Sequence, residues 1–174
     1  MPLEIFTENG NIPIPKDLSS LELGESAIGQ GRILVTPLHM AMAAAAVANG
    51  GRMMVPTLVD EVRSPEGNVI SRTKPRVQAT PVSAEVSAVL KDIMVAAVSN
   101  GTGRAASISG VRVGGKTGTA ENPHGPPHAW FIGFAPADVF LEAKAAVIEN
   151  GGAGGAVAAP LDREIIKGLI DEKR

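Results

Sequence analysis

The sequence predicts an α+β fold, an antiparallel sheet with helices packed on it. Three observations predict it. Strand-forming segments follow one another near residues 112–120, 129–135 and 140–149, inside 111–150, and connections this short join antiparallel neighbours. Two capped helical segments precede them. A last helical segment, 156–173, closes the chain and would cover one face of the sheet.

Composition narrows the class. The 174 residues suffice for one domain with a core, read here as 1–174. Hydrophobic residues at 44% against 20% charged ones make it globular rather than disordered. A net charge of -2 and 3% aromatics give no support for a nucleic-acid partner. Cysteine is absent, which removes disulfides and thiolate ligands. The longest apolar patch, Met40 to Ala48, falls well short of the ~20 residues a bilayer span needs.

Residues 1–30 read as an irregular lead-in, punctuated by Asn9-Gly10, Pro13, Pro15 and Gly24. Ile28-Gly-Gln-Gly-Arg32 reads as a glycine-flanked loop. Thr36 is a good N-cap and Pro37 suits the first helical position, so a helix runs from there to Asn49-Gly50-Gly51. Its many alanines suggest close packing. Met54 to Val62 reads as a strand, Ser64 to Asn68 as a turn, and Val69 to Arg72 as the returning strand of a hairpin. Ser83 caps the next helix, whose Val86, Val89, Leu90, Ile93, Met94 and Ala97 recur at spacings of three and four, an apolar face. In the last helix Val157, Leu161, Ile165 and Leu169 repeat every four residues, with Ile166 and Ile170 beside them and charges opposite.

The chemistry-bearing stretch is Val111-Arg-Val-Gly-Gly-Lys116-Thr-Gly-Thr119-Ala-Glu121. Lys116 supplies a cation, Thr117 and Thr119 hydroxyl donors, and Gly118 room for close approach. An edge strand would add unpaired N–H groups, as in strand-addition recognition. Gly110 through Thr117 also matches the phosphate-loop pattern, but that pattern needs a buried strand before it and a helix after it. Pro123, Pro126 and Pro127 forbid the helix. The other readings are the Lys-Thr-Gly triplet of serine acyltransferases and a glycine-rich strand with a chance Lys-Thr pair. Ser71-Arg-Thr-Lys74 spells S-x-x-K, but in a hairpin the lysine does not lie one helical turn from the serine. His39 reads as a packed or surface residue. The prolines between His124 and His128 prevent a shared metal site, so both read as loop residues, His128 near a groove rim, and no metal is expected.

Taken in order, Ala27-Ile-Gly-Gln-Gly31, Val35-Thr-Pro-Leu38, Ala48-Asn-Gly-Gly51, Lys116-Thr-Gly-Thr119-Ala-Glu, His128-Ala-Trp-Phe-Ile-Gly-Phe134-Ala-Pro, Glu149-Asn-Gly-Gly and Ala158-Ala-Pro resemble the end of a class B penicillin-binding protein transpeptidase domain of the actinobacterial type. The resemblance covers about Ala27 to Lys167 and implies a partial transpeptidase fold with no cofactor. It implies that Lys116 raises the positive potential beside the nucleophile and that Thr117 and Thr119 bind the carboxylate of a D-Ala-D-Ala-like donor or a β-lactam. The Thr119 N–H would be an oxyanion-hole donor, and Gly118 would leave room for the acyl chain. Partners so implied are peptidoglycan stem peptides, β-lactams, the N-terminal part of the domain, and cell-wall glycosyltransferase or division proteins. The site would work on the extracytoplasmic face of the bacterial membrane, in a parent whose anchor is not in this chain. The family's S-x-N motif occurs nowhere in the 174 residues, and the only S-x-x-K is the hairpin one. The expectation is therefore the C-terminal part of a D,D-transpeptidase domain, one wall of a site without its nucleophile. The alternative is a β-lactam sensor or a non-catalytic scaffold.

Overall fold

The computed structural model describes residues 7–139 and 142–172. Antiparallel sheet and helices combine as the sequence predicts. Helix α1 (Ser20–Ala27) breaks the lead-in expected to be irregular. A complete capping box makes it: the Glu22 N–H donates to Ser19 Oγ and the Ser19 N–H to Glu22 Oε2. The lead-in also pairs Asn11 with Leu34, the Asn11 N–H donating to the Leu34 carbonyl at 2.7 Å. Helix α2 (Pro37–Ala48) starts at the expected Thr36 cap, and His39 closes its box.

The strand expected over Met54–Val62 is broken. Strand β1 (Met53–Met54) pairs with β4 (Val77–Ala79), whereas β2 (Glu61–Arg63) pairs with β3 (Val69–Arg72). Pro56 has no N–H to offer a ladder, and the chain turns between the two pieces. The predicted return of Val69–Arg72 stands.

The main sheet has the order β5 (Gly114–Ala120), β6 (His128–Ala135), β7 (Glu142–Ile148), all antiparallel. Phe140 and Leu141, which open the expected strand 140–149, lie outside the described residues. So does Lys173 of the expected helix 156–173, which is observed as α4 (Ala158–Glu172). No helix among the described residues is long and apolar enough to cross a membrane.

Register sorts the sheet into two faces. Ala129, Phe131 and Ala135 meet Ala158, Ala159 and Ile166 of α4 in one core. Phe134 and Ile132 meet Ala44 and Ala48 of α2 and Met94 of α3 (Ala84–Ser99) in the other. The glycines of β5 are spacers for these rings: a Cβ at Gly114 would lie 2.3 Å from the Phe134 ring, and one at Gly115 2.2 Å from Phe131.

Two helices bury only part of the line their periodicity suggests, Met94 on α3 and Ile166 on α4 among it. On α3, Val86, Val89 and Ile93 are 48%, 59% and 58% exposed, and Ser87, Met94 and Val98 face inward. Small Ser87 lets α3 come close to α2, where its hydroxyl donates to the Val47 carbonyl at 2.7 Å. On α4, Leu161 and Ile165 are about half exposed, whereas Ala158, Ala159, Asp162 and Ile166 are fully buried. The two alanines leave space for the Phe131 ring, and that contact decides the rotation of the helix.

Asp162 is the unexpected member of that line. Its carboxylate faces the sheet near Gly133, whose β6 position pairs with Lys144 on β7. Among the described residues, neither carboxylate oxygen nor the Lys144 Nζ has a hydrogen-bond partner. Burial pushes the Asp162 carboxyl up to about 6, against the opposing pull of Lys144. Burial likewise lowers the Lys144 ammonium. A carboxyl with a raised folded-state pKa binds its proton more tightly when folded. Its contribution is therefore fully present below the unfolded value near 3.8 and lost as pH rises through about 6. The swing is about 3 kcal/mol. Urea unfolding of the wild-type chain is expected to show about half of this gain, roughly 1.4 kcal/mol, on acidification from pH 7 to pH 5. The double variant D162L/K144L should lack it and be at least as stable at pH 7, since an apolar pair of similar volume replaces two poorly solvated charges.

Candidate active-site edge

Among the described residues, strand β5 is paired on one side only. In an antiparallel ladder, successive residues turn their N–H and C=O alternately toward the partner and away from it. The Thr119 carbonyl and the Glu121 N–H both bond to Gln30, outside the sheet, so the odd-numbered residues present their backbone groups to the open edge. The N–H groups of Thr117 and Thr119 therefore point outward. The Thr117 carbonyl is met by Lys116 Nζ at 2.5 Å.

Side chains divide the same edge. Thr117 and Thr119 lie on the α4 face. The Thr117 hydroxyl pairs with that of Thr102 at 2.9 Å, in the loop after α3. The Gly154 N–H donates to Thr119 Oγ1 at 3.5 Å. Lys116 and Gly118 lie on the other face, Gly118 beside the Cβ of Trp130. Lys116 and Thr119 are exposed, Thr117 and Gly118 half-buried. Together they line an open groove of about 1390 Å³, whose other wall is the loop around Gln30 and Gly31. A cation, two hydroxyls and two aligned N–H donors along one strand can hold a carboxylate and a developing oxyanion together.

The structure brings all four expected residues, Lys116, Thr117, Gly118 and Thr119, to one groove. It does not bring Ser71 there: that serine sits in the β2–β3 hairpin, a separate sheet. The phosphate-loop pattern also fails, since Gly114–Ala120 is extended and fully paired and no helix follows. His128 opens β6 rather than lying in the loop, and its Nδ1 accepts the Asn150 N–H at 3.0 Å. Thr102, Gln30 and Gly154 escape sequence reasoning, because each meets β5 only through the tertiary fold. The glycines on either side of Gln30 were the only local signal.

The family model for the penicillin-binding protein transpeptidase domain matches residues 3–167. The chain belongs to this family. It is 41% identical over 183 residues to the peptidoglycan D,D-transpeptidase PbpA of Mycolicibacterium smegmatis, covering 99% of this chain and 36% of that protein. Among solved structures, the D,D-transpeptidase domain of a peptidoglycan glycosyltransferase from Eggerthella lenta superposes with a TM-score of 0.92 at 33% identity, over 99% of this chain and 44% of that one. The imipenem acyl-enzyme complex of penicillin-binding protein A from M. tuberculosis gives 0.81 at 42% identity, over 91% and 35%. The chain thus spans little more than a third of the length of the PbpA relatives it matches. Mycobacterial PbpA accords with the actinobacterial type that the motifs suggest.

Gly154 packs directly against the backbone of this edge. A Cβ there would lie 2.2 Å from both the Gly118 and Trp130 carbonyls, which are backbone and cannot yield cheaply. The variant G154A is expected to lose about 1–3 kcal/mol in chemical denaturation and to shift the amide resonances of Gly118 and Thr119. G168A, with nothing within 4 Å, serves as the control and should gain up to about 1 kcal/mol.

Proposed function

We propose that this chain supplies one wall of a serine D,D-transpeptidase site, which cross-links peptidoglycan stem peptides by acyl transfer and takes β-lactams as substrate mimics. The observation that carries the reading is the outward N–H of Thr119 on the same open edge as the Thr117 and Thr119 hydroxyls and the Lys116 ammonium. The relatives' names support it: one is a peptidoglycan D,D-transpeptidase, another a penicillin-binding protein solved as an imipenem acyl-enzyme.

In this reading the hydroxyls of Thr117 and Thr119 hold the donor's terminal carboxylate, and Lys116 offsets its charge. Gly118 lets the acyl chain lie flat against the strand. A serine oxygen attacks the carbonyl carbon of the penultimate D-alanine, and the resulting oxyanion accepts the Thr119 N–H. Collapse of that intermediate expels the terminal D-alanine and leaves an acyl-serine. An amine of a second stem peptide then attacks the ester and releases the serine. The attacking serine is not among these residues: no S-x-N occurs, and the single S-x-x-K lies on the hairpin. It comes from another segment of the catalytic domain. The work would take place outside the cytoplasmic membrane, where the polymer lies.

Two measurements test this. Incubated with a fluorescent penicillin, the 174-residue chain should bind reversibly and show no covalent label in a denaturing gel. A stable adduct would place a nucleophile within it and overturn that part. In a binding titration, T117V and K116A should each weaken capture of N-acetyl-D-alanyl-D-alanine by about 10–100-fold, the size of a charge-assisted hydrogen bond. Unchanged affinity would remove the edge from the site.

A further inference from the structure

A run of glycines backs the ligand edge. Between Asn150 and Ala156 the chain reads Gly-Gly-Ala-Gly-Gly, and its one side chain, that of Ala153, is exposed. Such a run loses much conformational freedom on ordering and has almost nothing to pack with. Yet it lies tight against β5. Gly154 is buried over the pairing of Gly118 with Trp130. A Cβ on Gly155 would stand 2.6 Å from the Thr102 carbonyl oxygen and 3.6 Å from the Thr117 methyl. The ladder fixes the backbones of Thr117 and Thr119 but leaves χ1 of each a choice of staggered wells. On the α4 face both side chains meet the glycine run, Thr117 through its methyl group and Thr119 through its hydroxyl, which accepts the Gly154 N–H.

The run is held from its two ends. Ala158 and Ala159 bury one end in the core. Asn150 holds the other. Its N–H donates to His128 Nδ1, and its Oδ1 accepts from Asn122 Nδ2 at 2.5 Å. The second bond of Asn122 sets this direction: its Oδ1 accepts the His124 N–H at 3.0 Å, so its Nδ2 is left to donate. Among the described residues Asn150 alone has a positive φ, 53°, without being glycine. Asparagine adopts that region more readily than most side chains. The turn so made delivers the Gly152 N–H to the Pro127 carbonyl at 2.8 Å. Asn150 thus ties the run to the β5–β6 loop, whose Asn122 follows Thr119 by three residues.

We propose that Asn150 is a positioning residue for the carboxylate-binding edge. It anchors the glycine run, and the run holds the side chain of Thr119 in the rotamer that turns its O–H to the groove. With one lone pair taken by the Gly154 N–H, that hydroxyl has its own proton left to give to an anion. Asn150 is exposed and acts through other residues, not on the reacting atoms. The role rests on the transpeptidase reading above and deepens it, since it names what keeps the donor hydroxyl aimed.

The test uses the 174-residue chain, with N-acetyl-D-alanyl-D-alanine as the probe. In N150A the bond from Asn122 is lost and alanine resists the positive φ. N150D keeps an acceptor oxygen and tolerates the same φ. Three-bond couplings, read without ligand, should show one χ1 rotamer of Thr119 in the wild type and in N150D. In N150A and N122A they should show an average over several. Probe affinity should fall about fivefold in N150A, the value of one hydrogen bond, and stay within about twofold in N150D. A merely structural role would lower stability and leave the rotamer and the affinity of the folded chain as they were. A wild-type rotamer in N150A or N122A therefore overturns the proposal, and so does an equal loss of affinity in N150D and N150A. If the wild type holds the single rotamer but binds no probe, the ligand reading of the edge falls, and the positioning role falls with it. If the wild type binds the probe and Thr119 ignores Asn150, the role of Asn150 falls alone. Wild-type amide dispersion in β6 and α2 excludes misfolding of the variants.

Discussion

The ladder between β5 and β6 is the constraint from which the site follows. It runs unbroken from Gly114 against Phe134 to Ala120 against His128. Because that side of β5 is saturated, the odd-numbered backbone groups have only the groove to face. Rigid placement of Thr119, and of the donors around it, is thus a by-product of sheet geometry and needs no strained residue. The two aromatic rings of β6 enforce this. Phe131 and Phe134 lie across Gly115 and Gly114, so the strand can sit flat only where it lacks side chains. The glycine richness that makes the stretch conspicuous in the sequence serves packing upstream and ligand approach downstream.

Much of this was legible in the residues. The Thr36 and Ser83 caps placed two helices, and the three strands followed from their β-forming residues and short connections. The four residues of the edge were legible as well, since their spacing on a strand determines which way each points. Helix α1 was overlooked although Ser19 and Glu22 form a capping box, because Gly24 and only two turns of chain leave no clear periodicity. The faces of α3 and α4 are legible only in part, Met94 and Ile166 lying inward as their spacing suggests, for a deeper reason. Periodicity marks where apolar residues lie, and burial is decided by what fits. Ser87 and the Ala158–Ala159 pair won the inward positions through small size. Thr102 and Gln30 sit 15 and 89 residues from the atoms they bond, beyond the reach of any local pattern.

The second edge of the sheet has a different character. Among the described residues β7 pairs only with β6, and every one of its positions is intermediate in exposure. Helices α2 and α4 cover its two faces. An edge in that state invites another strand. The exposed Leu161 and Ile165 of α4 and Val86, Val89 and Ile93 of α3 add apolar surface elsewhere on the molecule. A chain with such surfaces gains most from company, whereas on the β5 rim Gln30 and Lys116 already meet the carbonyls of Thr119 and Thr117.

The contact between Thr102 and Thr117 joins two hydroxyls that hold one proton each. When the Thr102 hydroxyl donates to Thr117 Oγ1, the Thr117 O–H is free to donate toward the groove; when the direction reverses, that O–H is used up on Thr102. The end of α3 and the ligand rim therefore share a polarity that one rotation of two bonds can flip. An arriving anion would select the first arrangement, and the loop after α3 would register occupancy without any movement of the main chain.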